Sequence, residues 1–246
     1  MFKFLKLSTL ILESHIKSLR LVKLYVPSHE REGEKALLVC QYDLEGDTLD
    51  SVKWYKDGQM FYFYMPSNNP SFYNFPLPGV KINVRRSASN AVMLVDLTQE
   101  SAGNYSCEVN GDAPKFDTVT EHKYLNIHLL PKSGPSVEGL KEQYNLNDLV
   151  VANCSLGPSR PKSLLIWFIN GRVAPASYVS GPLYGESAER PDATESILQL
   201  RFNVTEADVI NGTIELKCQA TIPPLYNEVI QFTNYIATEE KGIEYQ

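Results

Sequence analysis

The chain holds few of the residues from which catalytic and metal sites are assembled. Its four histidines, His15, His29, His122 and His128, are scattered through 246 residues. His122 and His128 fall on one late strand, but no cysteine or second motif completes a metal set with them, and both are expected to be exposed. There is no G-x-G-x-x-G turn, no G-x-x-x-x-G-K-S/T loop and no G-x-S-x-G elbow. No catalytic residue, metal or cofactor is therefore assigned, and no enzyme activity is expected. An excess of basic residues is also missing: the net charge is −6, which argues against nucleic acid or an anionic membrane as partner. No apolar run reaches the 18 or so residues of a membrane-spanning helix. Helical periodicity is nearly absent throughout.

Cysteine is scarce too, yet the four present are informative. Cys40, Trp54 and Cys107 form one set, and Cys154, Trp167 and Cys218 form another. A tryptophan shortly after the first cysteine, with the second cysteine some 50 residues further on, is the spacing of an immunoglobulin sandwich. Four cysteines allow three pairings. Only Cys40–Cys107 with Cys154–Cys218 gives each half its own staple, and the tryptophan spacing favours that choice. The fold class expected is all-β, with two tandem immunoglobulin-like β-sandwiches. The length suits two such domains, and a hydrophobic content of 43% is enough to fill two cores.

Strand signals run the length of the chain. Leu19–Val26 ends at Pro27 as an edge strand A, and Ala36–Cys40 and Val52–Lys56 read as strands B and C. Asp57-Gly58 is a hairpin signal leading into a further strand, Gln59–Met65. Gly79–Val84 and Ala91–Leu97 are expected as strands D and E. Tyr105, two residues before Cys107, stands where a tyrosine corner would be. The extra strand after Asp57-Gly58 makes the first sandwich variable-type. Leu129–Pro135 forms a Pro/Gly link, so the domains are expected over 17–130 and 131–237. Leu149–Cys154, Leu164–Phe168, Ser196–Val204 and Thr213–Ala220 supply the second domain, with Asn170-Gly171 another hairpin turn and Leu216 at the corner position. Residues 1–16 are expected to be a weak or incomplete signal segment, because Lys6 interrupts its apolar stretch. Residues 238–246 are expected to be a polar tail without a lipid-anchor signal.

Met60 to Met65 is the stretch that points to function. Strand residues alternate faces, so Phe61, Phe63 and Met65 fall on one side and Tyr62 and Tyr64 on the other. Whichever set is buried, large side chains remain outside, and an exposed aromatic strip is a protein-binding signal. Tyr55, Lys53 and Glu108 are expected to face outward from the same sheet. Four N-glycosylation sequons begin at Asn104, Asn153, Asn203 and Asn211. With the paired cysteines they place the chain outside the cell. Three of the four lie in the second domain, as on a sugar-coated spacer beneath a barer head.

The block Tyr42-Asp43-Leu44-Glu45-Gly46-Asp47, followed by Ser51-Val52-Lys53-Trp54-Tyr55-Lys56-Asp57, resembles the signature of the insect beaten path (Beat) proteins. Phe61-Tyr62 with Tyr64 and Pro66, Cys107-Glu108-Val109 and Asp112-Ala113-Pro114 agree with it, as do Asn153-Cys154-Ser155 and Leu165 through Trp167 to Asn170. Asp50 and Phe63 depart from that pattern. The resemblance implies a secreted or surface-attached protein of axon guidance, any attachment segment being absent from this chain. The partner it implies is an immunoglobulin-superfamily protein of the Sidestep type, bound through the first domain. Tyr55, Phe61 and Phe63 would be buried anchors, and Lys53 and Glu108 would set register at the rim. The alternatives are a homodimer formed through the same strip and, more remotely, a secreted carrier of small ligands.

Overall fold

The computed structural model describes residues 18–237. The expected signal segment over 1–16 and the polar tail over 238–246 lie outside the described residues. Two compact units are formed. Among the described residues, one comprises 18–27, Ala36–Val95 and Gly103–Leu125; the other comprises Ser28–Lys35, Asp96–Ala102 and 126–237.

The first nine strands are β1 (Arg20–Tyr25), β2 (His29–Arg31), β3 (Ala36–Asp43), β4 (Leu49–Lys56), β5 (Gln59–Tyr64), β6 (Phe72–Asn74), β7 (Ala91–Leu94), β8 (Gly103–Gly111) and β9 (Thr118–His128). They make a three-stranded sheet, β1-β3-β7, and a six-stranded one, β2-β9-β8-β4-β5-β6. β5 and β6 continue the sheet beyond β9, β8 and β4, which is the variable-type arrangement. Strict alternation along β3 and β8 turns every second residue inward, burying Leu38, Cys40, Tyr105, Cys107 and Val109. Cys40 and Cys107 are disulfide-bonded, and Trp54 stands directly opposite Cys107 across the β4–β8 ladder, wholly buried. The hairpin between β4 and β5 turns on Asp57 and Gly58, both with positive φ (51° and 80°), the backbone a two-residue turn of this kind requires.

Strand D is not formed where it was expected. Over 79–84 there are only isolated bridges, Leu77 with Val80 and Ile82 with Leu94, and the chain then enters a 3-10 turn over Val84–Arg86. Pro76 and Pro78 remove backbone donors just before it, and Gly79 takes a φ of 73°. The local alternation is present, but the ladder is not.

The remaining strands are β10 (Ser136–Glu138), β11 (Gln143–Tyr144), β12 (Leu149–Ser159), β13 (Leu164–Ile169), β14 (Arg172–Val173), β15 (Val179–Glu186), β16 (Thr194–Asn203), β17 (Thr213–Ile222) and β18 (Tyr226–Ile236). Their sheets run β10-β12-β16-β15 and β11-β18-β17-β13-β14. Trp167, opposite Cys218, repeats the relation of Trp54 to Cys107, and Cys154 is bonded to Cys218. The indole N–H of Trp167 donates to the Leu198 carbonyl at 2.9 Å. Leu216 replaces the corner tyrosine and is buried. The tie is supplied instead by Asn170, whose Nδ2 donates to the Asp208 carbonyl (2.7 Å) and whose Oδ1 accepts from the Glu215 N–H (2.9 Å).

Candidate functional site

The outward face of the six-stranded sheet brings four of the expected site residues, Lys53, Tyr55, Phe63 and Glu108, into two adjacent rows. In one, Thr120, Glu108, Lys53, Phe63 and Tyr73 stand opposite one another across β9, β8, β4, β5 and β6. In the next, His122, Ser106, Tyr55 and Met60 do the same across β9, β8, β4 and β5. Directly opposed side chains have Cβ atoms about 4.5–5.5 Å apart, so each row is a continuous strip of contacts.

The centre of the strip is charged and internally satisfied. Lys53 Nζ lies 2.8 Å from Glu108 Oε1, and the Tyr55 hydroxyl donates to Oε2 of the same carboxylate at 3.3 Å. Asn110 Nδ2 donates to Oε1 at 3.1 Å. Partial burial pushes the Glu108 carboxyl upward, but the hydrogen bonds from Lys53, Asn110 and Tyr55 outweigh it, and its pKa falls below the ordinary 4.5. The bond to Glu108 holds the Lys53 ammonium above its ordinary value, whereas burial and then the neighbouring carboxylate raise the Tyr55 phenol. At neutral pH the pair is fully ionised and carries no net charge. Beside it, the rings of Phe63 and Tyr73 stack with centroids 6.1 Å apart, and Tyr73 keeps 38% of its surface exposed.

Phe61 does not belong to this face. It is completely buried and meets Tyr105 edge-on, with centroids 5.8 Å apart. The ladder between β4 and β5 shifts at this point: Tyr55 faces Met60, but Trp54 faces Tyr62. Phe61 is the extra residue of a β-bulge, and its carbonyl accepts from the Phe75 N–H at 2.9 Å instead. Tyr62 is buried as well, its hydroxyl donating to the Ala88 carbonyl at 3.1 Å. The expectation that Phe61 and Phe63 share a face is thus corrected. Tyr73 was missed because β6 is only three residues long and has no alternation to read.

The histidines also depart from expectation. His122 is exposed opposite Ser106, but His128 is only 5% exposed, and its Nε2 sits 2.9 Å from His29 Nδ1. Burial, then the neighbouring His29, depresses its pKa. Among the described residues, no group of three or more His, Cys, Asp or Glu is placed to hold a metal ion. All four sequon asparagines, Asn104, Asn153, Asn203 and Asn211, are exposed.

Comparison with known proteins gives the fold a family context. The immunoglobulin-domain family model matches residues 30–112. No curated protein sequence matches the chain. Among solved structures, murine CEACAM1b is similar at a TM-score of 0.58 and 16% identity, over 87% of this chain and 100% of that one. Rst D1-D2 is similar at 0.52 and 12% identity, over 89% and 100%. The Ig1–Ig3 ectodomain of mouse nectin-like molecule 4 is similar at 0.50 and 18% identity, over 85% of this chain and 65% of that one. At such identities the likeness shows the fold. Residues 30–112 thus match an immunoglobulin domain, in a chain whose strands form two tandem immunoglobulin-like sandwiches.

Proposed function

We propose that the chain is an extracellular recognition protein of the beaten path type, whose first domain binds an immunoglobulin-superfamily partner of the Sidestep kind during axon guidance. The observation that supports this reading is the row Glu108–Lys53–Phe63–Tyr73 across four neighbouring strands. It joins a neutralised ion pair to a partly exposed aromatic pair, the composition of an interface centre that excludes water at its rings and fixes register at its charges. Tyr55 and Phe63, with Tyr73, are the anchors. Lys53 and Glu108 set the register. No cofactor enters this reading, and specificity comes from shape and charge match. The two disulfides agree with an oxidising compartment.

The test is surface-plasmon binding of the secreted full chain to Sidestep-type ectodomains. Anchors of this kind typically cost about 2 kcal/mol or more each when truncated, so Tyr55→Ala with Phe63→Ala is expected to weaken binding by well over tenfold. Undiminished binding by that double variant, measured on protein that remains folded at the assay temperature, removes the proposed face.

A further inference from the structure

Tyr124 is a large aromatic side chain left 56% exposed in the middle of β9. Single exposed apolar residues are common and need no explanation by themselves. Its cross-strand partner gives this one a meaning. Directly opposite Tyr124 in the β8–β9 ladder stands Asn104, the acceptor of the sequon Asn104-Tyr105-Ser106. Both side chains face outward, and opposed Cβ atoms lie about 4.5–5.5 Å apart. The Asn104 backbone is fixed: its N–H donates to Asp57 Oδ1 at 2.8 Å, and its carbonyl accepts from the Asp57 N–H at 2.8 Å.

The same juxtaposition recurs in the second sandwich. Asn203, the acceptor of another sequon, stands opposite Leu149, which is 41% exposed. Asn153 lacks it. Its neighbours in register are Gln199 and Glu138, and its Oδ1 accepts from Gln199 Nε2 at 3.1 Å. Two of the three sequons that lie on strands therefore pair an acceptor asparagine with an exposed apolar side chain, and the third serves as an internal control.

We propose that Asn104 carries an N-linked glycan whose first N-acetylglucosamine lies against the Tyr124 ring, with Leu149 serving the sugar on Asn203 in the same way. The inference rests on the extracellular reading above. In the attachment step Asn104 Nδ2 displaces the diphosphate of a lipid-diphosphate-linked oligosaccharide from the anomeric carbon. A C–N bond forms, the C–O bond to the diphosphate breaks, and one amide hydrogen leaves as a proton. The N-acetylglucosamine then presents a face of axial C–H bonds, whose slight positive charge matches the negative face of the tyrosine ring. It also removes apolar surface of Tyr124 from water. The consequence for recognition is steric. Asn104 lies four residues along β8 from Glu108, about 13 Å at strand spacing, so the sugar walls off the Asn104–Tyr124 end of the sheet. A partner is left the rows from Tyr55 and Glu108 toward Asn110.

The experiment uses the full chain behind a secretion leader in animal cells, with occupancy of each sequon read by glycopeptide mass spectrometry. The glycans are trimmed enzymatically to one N-acetylglucosamine, and thermal melts are recorded for the protein, Tyr124→Thr, Asn104→Gln and the double variant. Occupied Asn104, a Tm several degrees lower in Tyr124→Thr, and loss of that difference in the Asn104→Gln background are expected. An N-acetyl methyl resonance shifted upfield by the ring, absent in Tyr124→Thr, is the second expected readout. Asn104 found empty while Asn153 is occupied overturns the proposal and leaves the extracellular reading intact. All four sequons empty on secreted protein overturns it as well. Equal Tyr124→Thr effects with and without the sugar show an occupied site without the platform and also refute it.

Discussion

Phe61 and Phe63 are two residues apart and chemically identical, yet the bulge assigns them opposite roles that a pair of melts can separate. Phe61 is completely buried against Tyr105, so Phe61→Ala removes a core ring and leaves a cavity, at a cost of about 3–5 kcal/mol. A domain of roughly 100 residues loses about 4–8 °C of Tm per kcal/mol. The transition of the first unit should therefore fall by at least about 12 °C, a large part of the ~5–15 kcal/mol that holds such a domain. Phe63 is half-buried and stacked on the exposed Tyr73, so Phe63→Ala gives up a surface aromatic contact of about 1 kcal/mol and a few degrees. Differential scanning calorimetry of the full chain reads both, and partner binding should respond in the reverse order for protein that remains folded. Equal Tm losses for the two variants, or a larger loss for Phe63→Ala, would refute the bulge and with it the composition of the outward row.

Glu108→Gln should cost under about 1 kcal/mol at pH 7, as a partly exposed pair does. Because the folded pKa lies below 4.5, the contribution is present above that value and lost as pH falls through the folded one; of melts at pH 7 and pH 3, the former should show the larger difference. His128 has a folded pKa below 6.5, so it too contributes stability above its unfolded value that is lost on acidification. Wild-type Tm should fall more steeply from pH 7 to pH 5 than that of His128→Gln, and parallel profiles would count against the buried pair. Asn170→Gly keeps a residue tolerant of the positive φ of 48° while deleting both ties to the Asp208–Glu215 corner. At about 1 kcal/mol per hydrogen bond, a loss near 2 kcal/mol is expected in urea denaturation.

The parts of the fold set by local chemistry were open to reading from the residues. The cysteine–tryptophan spacing gave both disulfides, because the strand B to strand F bridge and the strand C tryptophan occupy fixed ladder positions, with Trp54 opposite Cys107 and Trp167 opposite Cys218. Asp57-Gly58 and Asn170-Gly171 gave both hairpins, because few other residues accept positive φ in succession. What failed depended on partners remote in sequence. Gly79–Val84 has a strand's composition but meets its neighbours in isolated bridges and not in a continuous ladder. His128 is buried by pairing with a residue 99 positions away, and Asn170 replaces the corner tyrosine through contacts 38 and 45 positions distant.

The bulge shows most clearly why the site was only partly legible. Alternation is a sound rule for a strand whose residues all join the ladder, and Phe61 does not. If Phe61 is set aside, Met60, Tyr62 and Phe63 point out, in and out, facing Tyr55, Trp54 and Lys53 in turn. The inserted residue adds a second large ring to the core over Tyr105 without disturbing the outward row. That separation lets one six-residue strand serve two purposes. The core gains Phe61 and Tyr62 around Trp54, and the surface keeps Phe63 in line with the Lys53–Glu108 pair. Tyr73 then extends the row by one strand, so the proposed recognition face is wider than the Met60–Met65 segment alone.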